Sequence, residues 1–252
     1  MVYLNKNYSL QTLRSLIQQE FQRKTYKHHT TLNEQQKEIL ELFNKRIFLE
    51  EVVEEAVSFN KKLTWDDATK NVGLVTSAEE LIEVFSLRSE IYTDINYQDE
   101  FPDTIEGLNF DSFDKNSAIL VCKNSGQATG TARIIFDSKQ KLPSEAKFSF
   151  DYMREKVDVI GEISRLIIKH QQGGLSVDFK NLMRGIHDLF IHNALDITIS
   201  GIKKEHYKLY SKFGGIAIEK ELGSYGQLDV PFLIISWDPS QASAFFHRSF
   251  LR

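Results

Sequence analysis

Three carboxylates and three guanidiniums in this chain stand where apolar side chains would be expected. Glu162 and Arg165 interrupt Asp158-Val-Ile-Gly-Glu162-Ile-Ser-Arg165-Leu-Ile-Ile168, otherwise a β-branched, apolar run that reads as a buried strand. Arg133 lies in Gly130-Thr-Ala-Arg133-Ile-Ile-Phe136, where strand alternation sets it against the face of Ala132, Ile134 and Phe136. Asp111 and Asp114 fall in Phe110-Asp-Ser-Phe-Asp114, just before another strand. Arg88 shares the apolar stripe of a helix with Leu81, Val84/Phe85, Ile91 and Tyr92, so that helix aims a guanidinium at the interior. A charge in a core is costly unless it is paired or used. The six together suggest a polar cleft cut into a sheet, with a carboxylate to move a proton and guanidiniums to hold an anion. A structural ion network is the plainer alternative, and for Arg88 so is a side chain snorkelling from the helix end. Glu162 and Arg165 are three apart, which in a regular strand points them to opposite faces. Either they serve different faces, or a bulge rotates the strand between them.

The elements that position these groups follow from the hydrophobic pattern. The run bearing Glu162 is a strand over about 157–168; it breaks at Gly173-Gly174 and gives way to a helix over 178–195. Strand, glycine loop and helix is an arrangement that turns several backbone N–H groups toward an anion. Upstream, residues 8–25 and 31–60 read as two helices, the second opened by the capping box Thr31-Leu-Asn-Glu34. Its acidic face (Glu50, Glu51, Glu54, Glu55) is read as solvated. Two amphipathic helices bury little alone. Residues 1–68 are therefore expected to be a helical extension packing on the rest of the chain or on a partner, with residues 69–252 the main domain. Within that domain the pattern gives a strand at 72–75, a helix at 77–93 capped by Ser77-Ala-Glu-Glu80, and an irregular stretch from Asp94 to Lys115. Strands at 117–123 and 128–136 join through Asn124-Ser-Gly126. After the strand at 157–168 and its helix come a strand at 197–202 and a short helix at 204–213 ended by Gly214-Gly215. Strands at 216–222 and 228–237 complete an α/β (α+β) order: βα, a meander, then βαβαββ.

That order, with the junction Gln171-x-x-Gly174-x-Ser176, resembles the GNAT acyltransferase superfamily, in which such a loop cradles the phosphates of a thioester donor. The resemblance implies a mixed, mostly antiparallel central sheet flanked by helices, with Gln171, Gln172, Gly173, Gly174, Leu175 and Ser176 holding the phosphopantetheine arm. Tyr210, a few residues before Gly214, matches the superfamily tyrosine that protonates the departing thiolate; a packed core tyrosine is the alternative. A more specific similarity is to the autoinducer (acyl-homoserine-lactone) synthases and to the long-chain N-acyl amino acid synthases. These carry an arginine on the first helix, Asp-x-x-Asp before the second strand, Gly-x-x-Arg on the third and Glu-x-x-Arg on the fourth. Arg88, Asp111/Asp114, Gly130-Thr-Ala-Arg133 and Glu162-Ile-Ser-Arg165 match them in order, across roughly residues 71–237. Tyr92 and Tyr97 stand where autoinducer synthases usually have tryptophan, and Arg133-Ile-Ile-Phe replaces their Arg-Leu-Leu-Pro. The N-acyl amino acid synthases are therefore the closer model.

The resemblance implies transfer of a fatty acyl group from a thioester to an amine. Glu162 would be the base, directly or through a water, and Tyr210 the acid. Arg88, Asp111 and Asp114 would shape the acceptor wall, and Arg133 or Arg165 would bind an acceptor carboxylate. It also implies acyl-phosphopantetheine as co-substrate, with acyl carrier protein as the donor partner and a small-molecule amine as acceptor. Lys180, Arg184, Lys203, Lys204, Lys208 and Lys212 could form a local basic docking face, or be ordinary solvated side chains. The composition agrees with a globular protein: 252 residues, 41% hydrophobic, 26% charged. A net charge of −4 gives no field for nucleic acid. The single cysteine, Cys122, lies in an apolar run, which excludes an internal disulfide framework and suggests a reducing compartment. No secretory leader, membrane span or zinc pattern shows, so the expectation is a cytoplasmic enzyme with no metal. Two rivals remain open: an acetyl-CoA-dependent N-acetyltransferase of the same superfamily, and a degenerate acyltransferase acting as a binding module.

Overall fold

A computed structural model describes residues 9–22, 34–66, 71–169 and 176–251 of the chain. Seven strands form one sheet: β1 (Val72–Leu74), β2 (Ser117–Asn124), β3 (Gln127–Phe136), β4 (Ile160–Ile168), β5 (Ile197–Lys203), β6 (Ile216–Leu222) and β7 (Phe232–Trp237). Their order across the sheet is β1-β2-β3-β4-β5-β7-β6. Every pairing is antiparallel except β4 with β5. Parallel neighbours cannot be joined by a hairpin. The required crossover is α5 (Val177–His192), in place of the hairpin that joins β2 to β3. The other helices are α1 (Leu10–Gln22), α2 (Glu34–Asn60), α3 (Ala78–Asp94), α4 (Asp151–Arg154), α6 (Tyr207–Tyr210) and α7 (Ala244–Phe250). The mixed, mostly antiparallel sheet flanked by helices is the architecture expected from the sequence. No described helix is long and apolar enough to cross a membrane.

Strand alternation divides the side chains between two cores. On one face Ala118, Leu120, Ala132, Ile134 and Ile163 meet Leu182, Ile186 and Leu189 of α5, and Phe246 and Phe250 of α7. On the other, Ile119, Val121 and Ile167 meet Leu81 and Phe85 of α3 together with Val52 and Ala56 of α2. Farther along that second face, Ile135, Ile160, Ile199 and Ile234 lie under Leu142, Phe150 and Met153, from the segment between β3 and β4. The charged residues of interest emerge between these last two groups.

The structure refines the sequence reading at four places. Helix α2 does more than expose an acidic face: Glu51 and Glu55 pair with Lys115 at 3.3 and 3.0 Å. Its last residue, Asn60, is buried and donates to the carbonyl of Ser117 while accepting from the N–H of Ile119. β1 reaches only as far as Leu120, so Asn60 substitutes for a strand at the uncovered start of β2. Strand β7 begins at Phe232 rather than 228, because Pro231 cannot donate to a ladder. The segment 204–213 holds only a 3-10 turn, Lys204–His206, and the single turn α6. Helix α7, which the sequence reading did not include, starts at Ser243, whose side chain accepts from the N–H of Phe246.

Candidate active site

The Asp-x-x-Asp spacing is first of all a cap. Asp111 precedes a 3-10 turn, Ser112–Asn116, and its carboxylate accepts from the N–H of Phe113 at 2.9 Å. Asp114 reaches back to the N–H of Asp111 at 2.9 Å, so the two carboxylates orient each other by the capping-box rule. Their remaining oxygen lone pairs take up the guanidiniums. Arg88 donates to Asp114 at 2.9 Å, and both side chains are fully buried. Arg133 donates to Asp111 at 2.6 Å and lies 3.0 Å from Asp114, and its Nε donates to Ser164. The flanking guanidiniums hold the Asp111 carboxyl below the usual carboxylate range against the opposing effect of burial. Burial pulls Arg88 down; its Nε and Nη2 make no hydrogen bond within the described residues.

A bulge in β4 brings Arg165 to the same group. Arg133 pairs with Ser164 and Thr131 with Ile167, so Arg165 and Leu166 together oppose the single residue Ala132. Arg165 takes a left-handed conformation, φ 53°, which costs a non-glycine residue roughly 1–3 kcal/mol. The rotation turns its guanidinium toward Asp111, at 3.1 Å, and to the hydroxyl of Tyr92 at 3.2 Å. Its guanidinium carbon lies 4.5 Å from the ring centre of Phe101 and 5.3 Å from that of Tyr92. Of the two alternatives for the Glu162–Arg165 spacing, the bulge is the one found.

Glu162 is 3% exposed. One carboxylate oxygen accepts from the hydroxyl of Ser144 at 2.9 Å, the other from the N–H of the same residue at 3.0 Å. Burial raises its pKa to about 7, opposed by the two Ser144 donors and by the charge of Arg133. A carboxylate poised there can accept a proton near neutral pH.

The sheet opens beside this group. β4 pairs with β5 only from Ile160↔Ile197 to Ile163↔Ser200; beyond that, β5 continues with β7 while β4 continues with β3. The hydroxyl of Ser200 donates to the carbonyl of Ile163 at the parting. On the α5 face a narrow apolar cleft of about 20 Å³ enters there, lined by Ile163, Leu166, Met183, Tyr210, Ile216 and Trp237 among others. Burial pushes the Tyr210 hydroxyl up to about 12, and it makes no hydrogen bond within the described residues. Tyr210 thus stands apart from the six charged residues, across the opening of the sheet. Residues 171–175 of the expected thioester loop lie outside the described residues. Ser176 is the N-cap of α5, its side chain accepting from the N–H of Phe179 at 3.0 Å.

The expected basic face is mixed. Lys204 pairs with Glu221, Lys203 lies over the ring of Tyr97 and Lys212 over that of Phe245, Arg184 donates to the carbonyl of Phe250, Lys180 is half-buried, and Lys208 is exposed.

Two residues that sequence reasoning passed over complete the site. Ser144 sits in the 3-10 turn Pro143–Ala146, and only the proline marked that stretch as a loop. Tyr225, in the β6–β7 connection, lies against Gly201 of β5, where a Cβ on the glycine would stand 3.3 Å from its ring. Burial and the charge of Glu162 raise its pKa, and a hydrogen bond with Ser144 opposes them. Turn residues of this kind carry no spacing signal.

The family model for the N-acyl amino acid synthase FeeM matches residues 83–238. No curated protein sequence matches the chain. Among solved structures, the N-acyl amino acid synthase FeeM from uncultured soil microbes is similar with a TM-score of 0.54 and 15% identity, over 71% of this chain and 94% of its own. MesI, a CoA-dependent acyl-homoserine lactone synthase, gives 0.54 at 15% identity, over 72% of this chain and 95% of its own. The acyl-homoserine lactone synthase LasI gives 0.52 at 15% identity, over 71% and 92%. At such identities these structures establish a shared fold, and that fold is GNAT-like.

Proposed function

Since the chain belongs to the N-acyl amino acid synthase FeeM family, and so is an N-acyltransferase, we propose that it moves a long-chain fatty acyl group from a carrier-protein phosphopantetheine thioester to the α-amino group of an amino acid. The observation that carries this reading is the meeting, at the parting of β4 and β5, of an apolar cleft on one face with Glu162 and Arg165 on the other. The apolar lining of the cleft suits the hydrocarbon of an acyl chain. The opposite face offers a base and a guanidinium, which suit an acceptor with both an amine and a carboxylate.

Each group then has a role. Arg133 is held by Asp111, Asp114 and Ser164, which leaves Arg165, at the more open edge of the network, to bind the acceptor carboxylate. Arg88, Asp111 and Asp114 form the rigid wall behind it. Glu162, directly or through one water, takes a proton from the acceptor ammonium, and the neutral amine attacks the thioester carbonyl. The C–N bond forms, and the oxyanion is met by backbone N–H groups of β4 past Ile163, where β5 no longer pairs. The C–S bond breaks, and the leaving thiolate takes the proton of the Tyr210 hydroxyl, which the amide nitrogen replaces. Gln171–Ser176 hold the phosphopantetheine phosphate.

A matched set of donors tests the reading: one long-chain acyl group on carrier protein and on CoA, and acetyl-CoA, each offered a mixture of amino acids. Mass spectrometry is expected to show a long-chain N-acyl amino acid, formed fastest from the carrier. Consumption of acetyl-CoA alone would replace this reading with an N-acetyltransferase.

A further inference from the structure

The segment between β3 and β4, besides covering the sheet with Leu142, Phe150 and Met153, sets one serine on Glu162. Ser144 is completely buried and presents two donors, its N–H and its hydroxyl, one to each oxygen of Glu162. The turn that carries it is built to stay in place. Pro143 sets the first residue of the 3-10 turn, and the Glu145 side chain accepts from the N–H of Leu142 at 2.9 Å. Arg154 clamps Glu145 at 2.5 and 2.8 Å and, on its other side, Asp137 at 2.6 and 2.9 Å. Asp137 is anchored to β4 by its N–H on the carbonyl of Ile160. The chain of contacts runs from the strand bearing Glu162, through Asp137, Arg154 and Glu145, back to the serine on Glu162.

We propose that Ser144 is the positioning residue of the base, its paired donors fixing the direction in which the Glu162 carboxylate offers lone pairs to the acceptor ammonium and favouring its ionised form. This rests on the reading of Glu162 as the base. A hydrogen bond to a carboxylate stabilises the charged form, and burial favours the neutral one. Arg133 from β3 adds positive charge beside Glu162, and Glu145 from the turn adds negative charge. Tyr225 from the β6–β7 connection, with Lys147 over its ring, also faces the group, and Arg165 of β4 acts on Tyr225. Without the Ser144 hydroxyl the balance moves toward the protonated acid.

Infrared titration reads this directly, without a substrate. The carbonyl band of protonated Glu162 is the one lost in Glu162→Gln. Its midpoint is expected to move up by about one pH unit in Ser144→Ala and Ser144→Cys, which lack a strong donor, and to stay in place in Ser144→Thr. The acidic limb of kcat/KM should move with it, so that Ser144→Ala loses about fivefold at neutral pH and recovers in base. An unchanged midpoint in both Ser144→Ala and Ser144→Cys, with turnover reduced equally at every pH, would overturn the proposal and leave Ser144 a packing residue. Full activity of Glu162→Gln would instead sink the assignment of the base itself.

Discussion

At the residue scale, the proposed reaction puts most of the chemistry on Glu162 and Arg165, and each makes a separate prediction. Burial raises Glu162 to about 7, and the base must be ionised to act, so kcat/KM should fall as pH drops through that value. Glu162→Gln should lower kcat by roughly 10²–10⁴ at neutral pH and remove that limb from the profile. Arg165→Lys keeps a positive charge but loses the planar fork. It should raise KM for the amino acid acceptor by roughly tenfold, the worth of one charge-assisted hydrogen bond, with KM for the thioester unchanged. Steady-state kinetics varying each substrate in turn separates the two. The sequence shows Glu162 and Arg165 as charges in an apolar strand, but it leaves their relative facing open. That facing depends on a left-handed, non-glycine residue inside a bulge, and no alternation rule announces one.

At the scale of elements, two packed devices keep the site rigid, and both are open to measurement. Asp114 accepts from buried Arg88 and Arg133 while capping its own turn. Asp114→Asn would leave Arg88 buried without its carboxylate, and should destabilise the fold by about 3–5 kcal/mol in urea unfolding. Asn60→Ala would strand the carbonyl of Ser117 and the N–H of Ile119, for a loss of about 1–3 kcal/mol by the same method. Much of this layout was legible. The Ser77 N-cap, the β2–β3 hairpin and the amphipathic α5 follow from side-chain spacing alone, although Glu80 accepts from the N–H of Thr76 rather than closing a capping box on Ser77. The role of Asn60 was not legible, since it lies 57 residues from Ser117 and sequence spacing says nothing of such a contact. Nor was Ser144, which reaches Glu162 only after the segment between β3 and β4 folds back across the sheet.

At the scale of the whole molecule, two loops meet on the side of the sheet that the proposed reaction gives to the acceptor. The carboxylate of Glu100, from the α3–β2 connection, accepts from the N–H of Gln227 in the β6–β7 connection at 2.7 Å. Lys203 of β5 lies 5.1 Å from the ring centre of Tyr97, and Lys147 4.5 Å from that of Tyr225. Lys208 and Lys212 stand two residues either side of Tyr210, which lines the apolar cleft, and the proposed reading has an acidic carrier dock there by charge. Lys208→Glu combined with Lys212→Glu should raise KM for the carrier-bound donor severalfold and make it less salt-sensitive, leaving the CoA-bound donor little changed. Donor kinetics across a range of ionic strength reads that difference. The most direct test of the account as a whole is the lipid extract of cells overproducing the wild-type chain, beside cells producing Glu162→Gln. Mass spectrometry is predicted to find a long-chain N-acyl amino acid in the first and not in the second. The same lipid at equal abundance in both, or its absence from both alongside an acetylated amine, would contradict the central claim.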